Sequence, residues 1–227
     1  MSISIYADGA DLAQMEALAQ NKRVSGFTTN PSLMKKAGVT SYRHFARAVL
    51  DRVGDKPVSF EVFADDFKTM EEQAREIASW GPNVYVKVPV TNAQANPAYD
   101  LIWRLSRTGI KVNVTAVFTP QQARTAILSL DGDSIVSVFA GRIADTGQDP
   151  ARVMRSARAK IMHHSTKLLW ASAREVYNVV QAEECGCDII TLAPELIEKL
   201  SGFGRNLTDY SLETVRQFHR DAAWLSL

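Results

Sequence analysis

The sequence has few of the residues that mark several common classes of protein. It contains only two cysteines, Cys185 and Cys187, and the single residue between them disfavours a strain-free disulfide. The disulfide framework typical of small secreted domains is therefore not expected. The four histidines show no metal-ligand spacing, and glycine motifs of nucleotide-binding loops are absent. We therefore expect no metal and no cofactor.

Net charge and long apolar runs are also scarce. The 26 lysines and arginines against 25 acidic residues give a formal charge of +1, which argues against nucleic acid or an anionic membrane as a partner. No apolar run approaches the ~20 residues that a membrane span needs. The first residues do not look like a signal peptide, because an aspartate already stands at position 8. Our expectation is a soluble, cytoplasmic protein.

What is present is a regular alternation of short β-branched runs and longer segments with helical periodicity. Apolar residues make up 46% of the chain and charged residues 22%, an ordinary globular composition. Strands are predicted over residues 4–8, 24–30, 58–64, 84–90, 111–118, 134–141, 168–172 and 188–192. Helices are predicted over residues 70–80, 97–108, 120–130, 150–163 and 174–185, three of them at a proline.

Eight strand–helix units in 227 residues amount to roughly 28 residues each, which matches a compact (β/α)8 TIM barrel. An open doubly wound sheet is the alternative, because alternation alone does not separate the two folds. No linker divides the chain, so residues 1–227 are predicted to form a single domain. Residues 200–227 are predicted to form a tail with an additional C-terminal helix over 211–224, which packs either on its own barrel or on a neighbouring subunit.

Polar residues recur on one face of the predicted strands, late in each strand. Side chains of a strand alternate between faces, so residues of one parity share a side, and active sites of (β/α)8 barrels lie at the C-terminal strand ends. The same pattern places Trp170 on that inner face. The polar set comprises Asp8, Asn30, Glu61, Lys87, Asn113, Thr115, Ser137 and Ser172.

Lys87 is the one charge in the apolar run 84–90. A buried ammonium is costly unless it is paired or loses its proton, and one interpretation is an ion pair with Asp8 or Glu61. The other is a neutral amine that attacks a carbonyl to form a Schiff base, whose imine stabilises the carbanion left by C–C cleavage. Asp8 could then move the proton of the substrate hydroxyl, while Glu61 and Thr115 hold a water.

Two arginines follow the sixth and seventh predicted strands. The guanidinium groups of Arg142 and Arg174 suit a phosphate, and the Ser172 hydroxyl adds a donor. Together these residues predict a phosphorylated or otherwise anionic sugar. The alternative is that each arginine pairs with a nearby acid: Asp145, Asp149 or Glu175.

At these residues the sequence resembles the transaldolase family, in the short-chain branch that also contains fructose-6-phosphate aldolase. The matching motifs span about residues 3–200: Tyr6-Ala-Asp8, Thr28-Thr-Asn-Pro-Ser32, Val86-Lys-Val-Pro-Val-Thr91, Asn113-Val-Thr115, Ser137-Val-Phe-Ala-Gly-Arg142 and Ala171-Ser-Ala-Arg174. The resemblance implies a (β/α)8 barrel, no cofactor, and catalysis by Lys87, Asp8, Glu61 and Thr115. The substrate-binding residues would be Thr29, Asn30, Asn113, Ser137, Phe139, Arg142, Ser172 and Arg174.

The implied reaction moves a three-carbon dihydroxyacetone unit from a ketose phosphate, of the sedoheptulose 7-phosphate or fructose 6-phosphate type, to an aldose phosphate. The aldolases of this branch tend to have glutamine in place of Glu61 and tyrosine in place of Phe139, so the sequence favours transfer. A class I aldolase, an enzyme for an unusual sugar, and a catalytically silent sugar-phosphate-binding barrel are the alternatives. Small members of the family are often pentamers or decamers, which implies a homo-oligomer.

Overall fold

The computed structural model describes residues 3–161 and 165–225. Its strands follow one another along the chain with helices between them. The strands are β1 Ser4–Asp8, β2 Val24–Thr28, β3 Val58–Glu61, β4 Val84–Pro89, β5 Val112–Val117, β6 Ser134–Val138, β7 Thr166–Trp170 and β8 Ile189–Leu192. Each strand pairs in parallel with the next, and β8 pairs with β1. The sheet is thus a closed barrel, which confirms the predicted (β/α)8 fold and rules out the open sheet.

Helices connect the strands and surround the barrel. They are α1 Leu12–Ala19, α2 Pro31–Lys36, α3 Tyr42–Val53, α4 Phe67–Ala78, α5 Tyr99–Arg107, α6 Pro120–Leu128, α7 Ala140–Ala144, α8 Ala151–Ile161, α9 Asn178–Glu184, α10 Pro194–Lys199 and α11 Leu207–Asp221. In the part of the chain that the structure describes, none of them is long and apolar enough to cross a membrane.

Side-chain caps set several helix starts. At α6, the Thr119 side chain accepts from the backbone N–H of Gln122, and the Gln122 side chain accepts from that of Thr119. Such a capping box satisfies two backbone donors that the first helical turn leaves without partners. Pro120 occupies the first helical position, where its missing N–H is not needed.

Several predicted boundaries differ from the observed ones. The sixth strand ends at Val138 rather than at residue 141, because α7 begins at Ala140. Pro97 does not open a helix: it forms an isolated bridge with Thr91, and α5 begins at Tyr99. The helix predicted over 150–163 corresponds to α8, and residues 162 and 163 lie outside the described residues.

Two apolar layers hold the barrel together. The larger one fills the space between strands and helices, and the smaller one fills the lower part of the barrel with Tyr6, Tyr85, Ile135, Leu169 and Ile189, each at most 5% exposed. Because side chains fill this lower layer, a site in the barrel interior lies above it, at the C-terminal ends of the strands.

The prediction that Trp170 faces the barrel interior is wrong. Trp170 belongs to the outer layer, whereas its neighbour Leu169 lies opposite Ser137 in the register and packs inside. The inner parity of β7 is therefore that of Leu169 and Ala171. Ser172 still reaches the upper end of the barrel, since its backbone turns to a positive φ of 63° after the strand.

The C-terminal helix α11 begins four residues earlier than predicted, after the Asn206 side chain accepts from the backbone N–H groups of Thr208 and Asp209. None of its side chains is buried. Val215 and Phe218 are 58% and 64% exposed. The predicted helix is confirmed, but it does not bury an apolar face on its own barrel.

Candidate active site

A pocket of about 80 Å³ lies at the C-terminal ends of the strands. Because eight parallel strands end at one rim, side chains distant in sequence meet there. Most of the predicted site residues line it: Asp8, Asn30, Lys87, Thr115, Ser137, Phe139, Arg142 and Ser172. The remaining lining residues are Thr28, Leu169, Ala171 and Thr191.

Lys87 lies at the base of this pocket on β4 and is only 5% exposed. Its Nζ is 2.9 Å from Oε2 of Glu61, which lies opposite Lys87 on the adjacent strand β3. Nζ also donates to the backbone carbonyl of Thr29 at 2.8 Å. The ion pair considered from the sequence is thus formed with Glu61. It places a proton acceptor within hydrogen-bond distance of the amine.

Asp8 is the carboxylate that lines the pocket, whereas Glu61 contacts Lys87 without lining it. Burial raises the pKa of Asp8, while the Lys87 charge and a hydrogen bond from Thr28 lower it and the Glu61 charge raises it. The Thr28 hydroxyl donates to Oδ1 of Asp8 at 2.9 Å. A carboxyl whose pKa lies above its ordinary range is suited to accepting and returning a proton.

Asn113 and Ser137 form a buried polar chain beside Lys87. The Ser137 hydroxyl donates to Oδ1 of Asn113 at 2.7 Å, and Nδ2 of Asn113 donates to the Ser59 hydroxyl at 3.0 Å. Asn113 is fully buried and pairs with Lys87 in the register of β4 and β5. Ser137 lines the pocket, whereas Asn113 supports it from behind.

Two buried hydroxyls have no hydrogen-bond partner among the described residues: those of Thr115 and Thr29. The register of β5 against β6 shifts between Val114 and Val117, and Ala116 there has a positive φ of 58°. Thr115 lines the pocket beside this irregularity. Since buried polar groups are normally paired, its hydroxyl is suited to a water or a substrate oxygen.

Three further lining residues, Asn30, Phe139 and Arg142, are fixed by a helix cap and an aromatic contact. Oδ1 of Asn30 accepts from the Leu33 backbone N–H at 3.0 Å and caps α2, which fixes the side chain at the rim. The Phe139 ring lies 5.0 Å from the Arg142 guanidinium carbon, within the range of a cation–π contact. These contacts orient the Asn30 amide and the Arg142 guanidinium at the pocket.

Arg174 does not line the pocket. Its guanidinium holds Asp145 through both carboxylate oxygens, and this pairing lowers the pKa of Asp145. This is the alternative considered from the sequence, a loop arginine paired with a nearby acid. Both side chains are half exposed, so the pair is open to exchange with a soluble anion.

The loop that carries Ser172 packs tightly on α7. A Cβ added to Gly141 would lie 1.6 Å from the Ser172 backbone oxygen. Only glycine permits this approach, and it holds the end of β7 against the first turn of α7. Gly141 therefore helps to position Ser172 at the site.

Comparisons with known proteins identify the family of this chain. The model of the family described as "Transaldolase/Fructose-6-phosphate aldolase" matches residues 5–226. The chain belongs to the transaldolase/fructose-6-phosphate aldolase family. Among its relatives in this family, a "Probable transaldolase" of Exiguobacterium sp. is 35% identical over 92% of this chain and 93% of the relative. A "Probable transaldolase" of Methanococcus maripaludis is 34% identical over 93% of this chain and 94% of the relative.

Solved structures with much lower sequence identity share the fold. The "Native KDPGal structure" has a TM-score of 0.58 at 14% identity and covers 99% of this chain and 97% of its own. The dihydrodipicolinate synthase of Rhodopseudomonas palustris has a TM-score of 0.57 at 14% identity, covering 97% and 79%. At this identity the likeness shows the barrel alone.

Sequence reasoning omitted Thr28 and Thr191 from the site. Thr28 has the inner parity of β2 and stands in the Thr28-Thr-Asn-Pro-Ser32 motif typical of the transaldolase family, so its place in the pocket could have been predicted. Thr191 is the single hydroxyl within the apolar strand β8. A threonine in a strand is ordinary, and its polarity alone carried no signal.

Proposed function

We propose that this protein is a Schiff-base transaldolase that transfers a three-carbon dihydroxyacetone unit from a ketose phosphate, of the sedoheptulose 7-phosphate or fructose 6-phosphate type, to an aldose phosphate. The observation that carries the proposal is the buried Lys87 amine at the base of the pocket, with Glu61 in contact and Asp8 lining the same cavity. Membership of the transaldolase/fructose-6-phosphate aldolase family agrees with this chemistry.

In the first step, Glu61 accepts a proton from Lys87 as the ketose enters. The neutral Nζ attacks the keto carbon and forms a carbinolamine, which loses water to give the protonated imine. Proton transfers in this step pass through a water held by Glu61 and by the Thr115 hydroxyl. The Thr115 hydroxyl, which has no protein partner among the described residues, supports that assignment.

In the second step, Asp8 removes the proton of the hydroxyl on the fourth carbon. The bond between the third and fourth carbons breaks, its electron pair moves to the imine nitrogen, and an aldose leaves. The enamine on Lys87 then attacks the acceptor aldehyde while Asp8 returns the proton to the new hydroxyl. Hydrolysis of the imine releases the new ketose and restores the amine.

The sugar is held by the polar groups that surround Lys87. We assign the dihydroxyacetone portion to Asn30 and Ser137, with Asn113 orienting the Ser137 hydroxyl from behind and the Thr29 hydroxyl free to bind. We assign the phosphate to Arg142, Ser172 and Arg174. Because Arg174 is paired with Asp145, it reaches the phosphate only after exchanging that carboxylate for a phosphate oxygen. The carboxylate and the phosphate each make charge-assisted, bidentate hydrogen bonds with a guanidinium, so one anion replaces the other.

Transfer is favoured over aldol cleavage by Glu61 and Phe139. Phe139 lines the pocket with no hydroxyl of its own, so the residue brings no further group to activate water against the enamine. Exchanging Glu61→Gln and Phe139→Tyr together is expected to raise aldose release from fructose 6-phosphate without an acceptor. An unchanged ratio of cleavage to transfer would count against this assignment.

Borohydride trapping tests the Schiff base directly. Reduction in the presence of fructose 6-phosphate should attach the sugar to Lys87, as peptide mass spectrometry would show. Lys56 is a matched control, since its amine is also held by backbone carbonyls but lies outside the pocket. Absence of an adduct at Lys87, or equal labelling at Lys56, would refute the mechanism.

A coupled assay separates the activities. Turnover of fructose 6-phosphate only when erythrose 4-phosphate is present indicates a transferase, and turnover without it indicates an aldolase. No turnover under either condition would leave a binding barrel or another sugar.

We further propose that the protein is cytoplasmic and forms a homo-oligomer, either a pentamer or a decamer. The exposed apolar side chains of α11 support the oligomer.

A further inference from the structure

A hydroxyl chain leads across three strands to Asp8. Thr191 on β8 and Thr28 on β2 flank β1, and their hydroxyl oxygens are 2.5 Å apart. Thr28 in turn contacts Oδ1 of Asp8 at 2.9 Å. Thr28 and Thr191 are 3% and 6% exposed, so the chain lies in the protein interior.

The direction of this chain follows from counting protons. An ionised carboxylate only accepts, and a threonine hydroxyl carries one proton. Thr28 therefore donates to Asp8, which leaves Thr191 as the donor in the short contact between the two hydroxyls. We propose that Thr191 is a positioning residue that orients the Thr28 hydroxyl onto Oδ1 of Asp8, so that Oδ2 moves the proton of the sugar hydroxyl. This inference rests on the proposed Schiff-base function.

The environment of Asp8 makes the orientation matter. Glu61 on β3 disfavours its ionised form, Lys87 on β4 favours it, and Arg142 lines the same pocket. Thr28 is the neutral group whose hydrogen bond favours ionisation. In a low-dielectric interior, each bond of a chain strengthens the next by polarisation. Losing the Thr191 hydroxyl weakens the Thr28 bond and raises the pKa of Asp8 further.

The test is the pH dependence of kcat in the transfer reaction. Thr191→Val keeps the side-chain shape and removes the hydroxyl. It should lower kcat and move the acid limb toward higher pH by about half a unit, because the carboxylate form is the active one. Thr191→Ser keeps the hydroxyl and should restore the limb. The substrate KM should remain near that of the wild type.

A double substitution separates positioning from direct contact, since Thr191 also lines the pocket. If Thr191 acts through Thr28, then Thr191→Val should have no further effect on the acid limb in a Thr28→Val background. Additive effects, a change confined to KM, or an unshifted limb in Thr191→Val would each overturn the inference. Unfolding temperatures of all variants exclude a loss caused by misfolding.

Failure of this inference is distinguishable from failure of the proposed function. If wild-type protein forms no borohydride adduct on Lys87, the Schiff-base mechanism fails and the inference fails with it. If wild-type protein forms the adduct and turns over, but Thr191→Val keeps the wild-type pH profile, only the positioning role fails.

Discussion

Removing the charge of Glu61 tests how the protein tolerates an amine in its interior. Lys87 and Glu61 have side chains 7% and 18% exposed, with 2.9 Å between Nζ and Oε2. In Glu61→Gln the amine keeps the Thr29 carbonyl as a hydrogen-bond partner and interacts with the Asp8 charge, but it loses the carboxylate that contacts it. Removing one partner of a buried ion pair destabilises a protein by about 3–5 kcal/mol when the other stays charged.

We therefore expect Glu61→Gln to lower the unfolding free energy by about 3–5 kcal/mol at pH 7. The loss follows because Lys87 stays in the interior without the carboxylate that contacts its amine.

Urea denaturation at pH 7, followed by tryptophan fluorescence, measures the unfolding free energies of the variant and the wild type. Glu71→Gln is the matched control, because Glu71 pairs with Arg75 and Arg104 at the surface. Its loss of unfolding free energy should stay within about 1 kcal/mol. If Glu61→Gln loses no more than this control, Lys87 is not held in a buried ion pair and the reasoning fails.

Three further predictions concern the rest of the molecule. Burial raises the pKa of Asp8, so the ionised carboxylate opposes folding above its unfolded pKa. Asp8→Asn should abolish transfer, and in urea denaturation its gain in unfolding free energy over the wild type should be larger at pH 7 than at pH 4. An equal or smaller gain at pH 7 would contradict this. Gly141→Ala should weaken phosphate-dependent activity far more than Gly147→Ala, since the added Cβ would collide with Ser172, and equal losses in steady-state assays would contradict it. Phe218→Glu should reduce the mass found by analytical ultracentrifugation if α11 lies in a subunit contact, and an unchanged mass would remove α11 from the interface.

The barrel and most of its site were predictable because strand parity makes burial visible in sequence. Lys87, Asn113 and Thr115 stand out as polar residues within apolar strands, and strands that close a barrel bring one parity to one interior. Their meeting in a pocket therefore followed from alternation and strand order. The choice of Glu61 over Asp8 as the partner of Lys87 depended on adjacency in the barrel, and both remained open beforehand.

The loop residues were less predictable, for physical reasons. The orientation of Arg174 depends on the contact between Gly141 and Ser172 and on Asp145, which no periodicity describes. Trp170 was misplaced because it ends a run of three apolar residues, Leu168, Leu169 and Trp170, in which parity has no polar contrast. Such runs are typical of parallel strands covered on both faces.

The filled lower layer of the barrel has a kinetic consequence. The floor of the cavity is closed by Tyr6, Tyr85, Ile135, Leu169 and Ile189, so molecules reach it through the mouth at the C-terminal ends of the strands. In the proposed transfer, the aldose released from the donor leaves by this mouth before the acceptor enters by it. We therefore expect substituted-enzyme kinetics with parallel double-reciprocal lines.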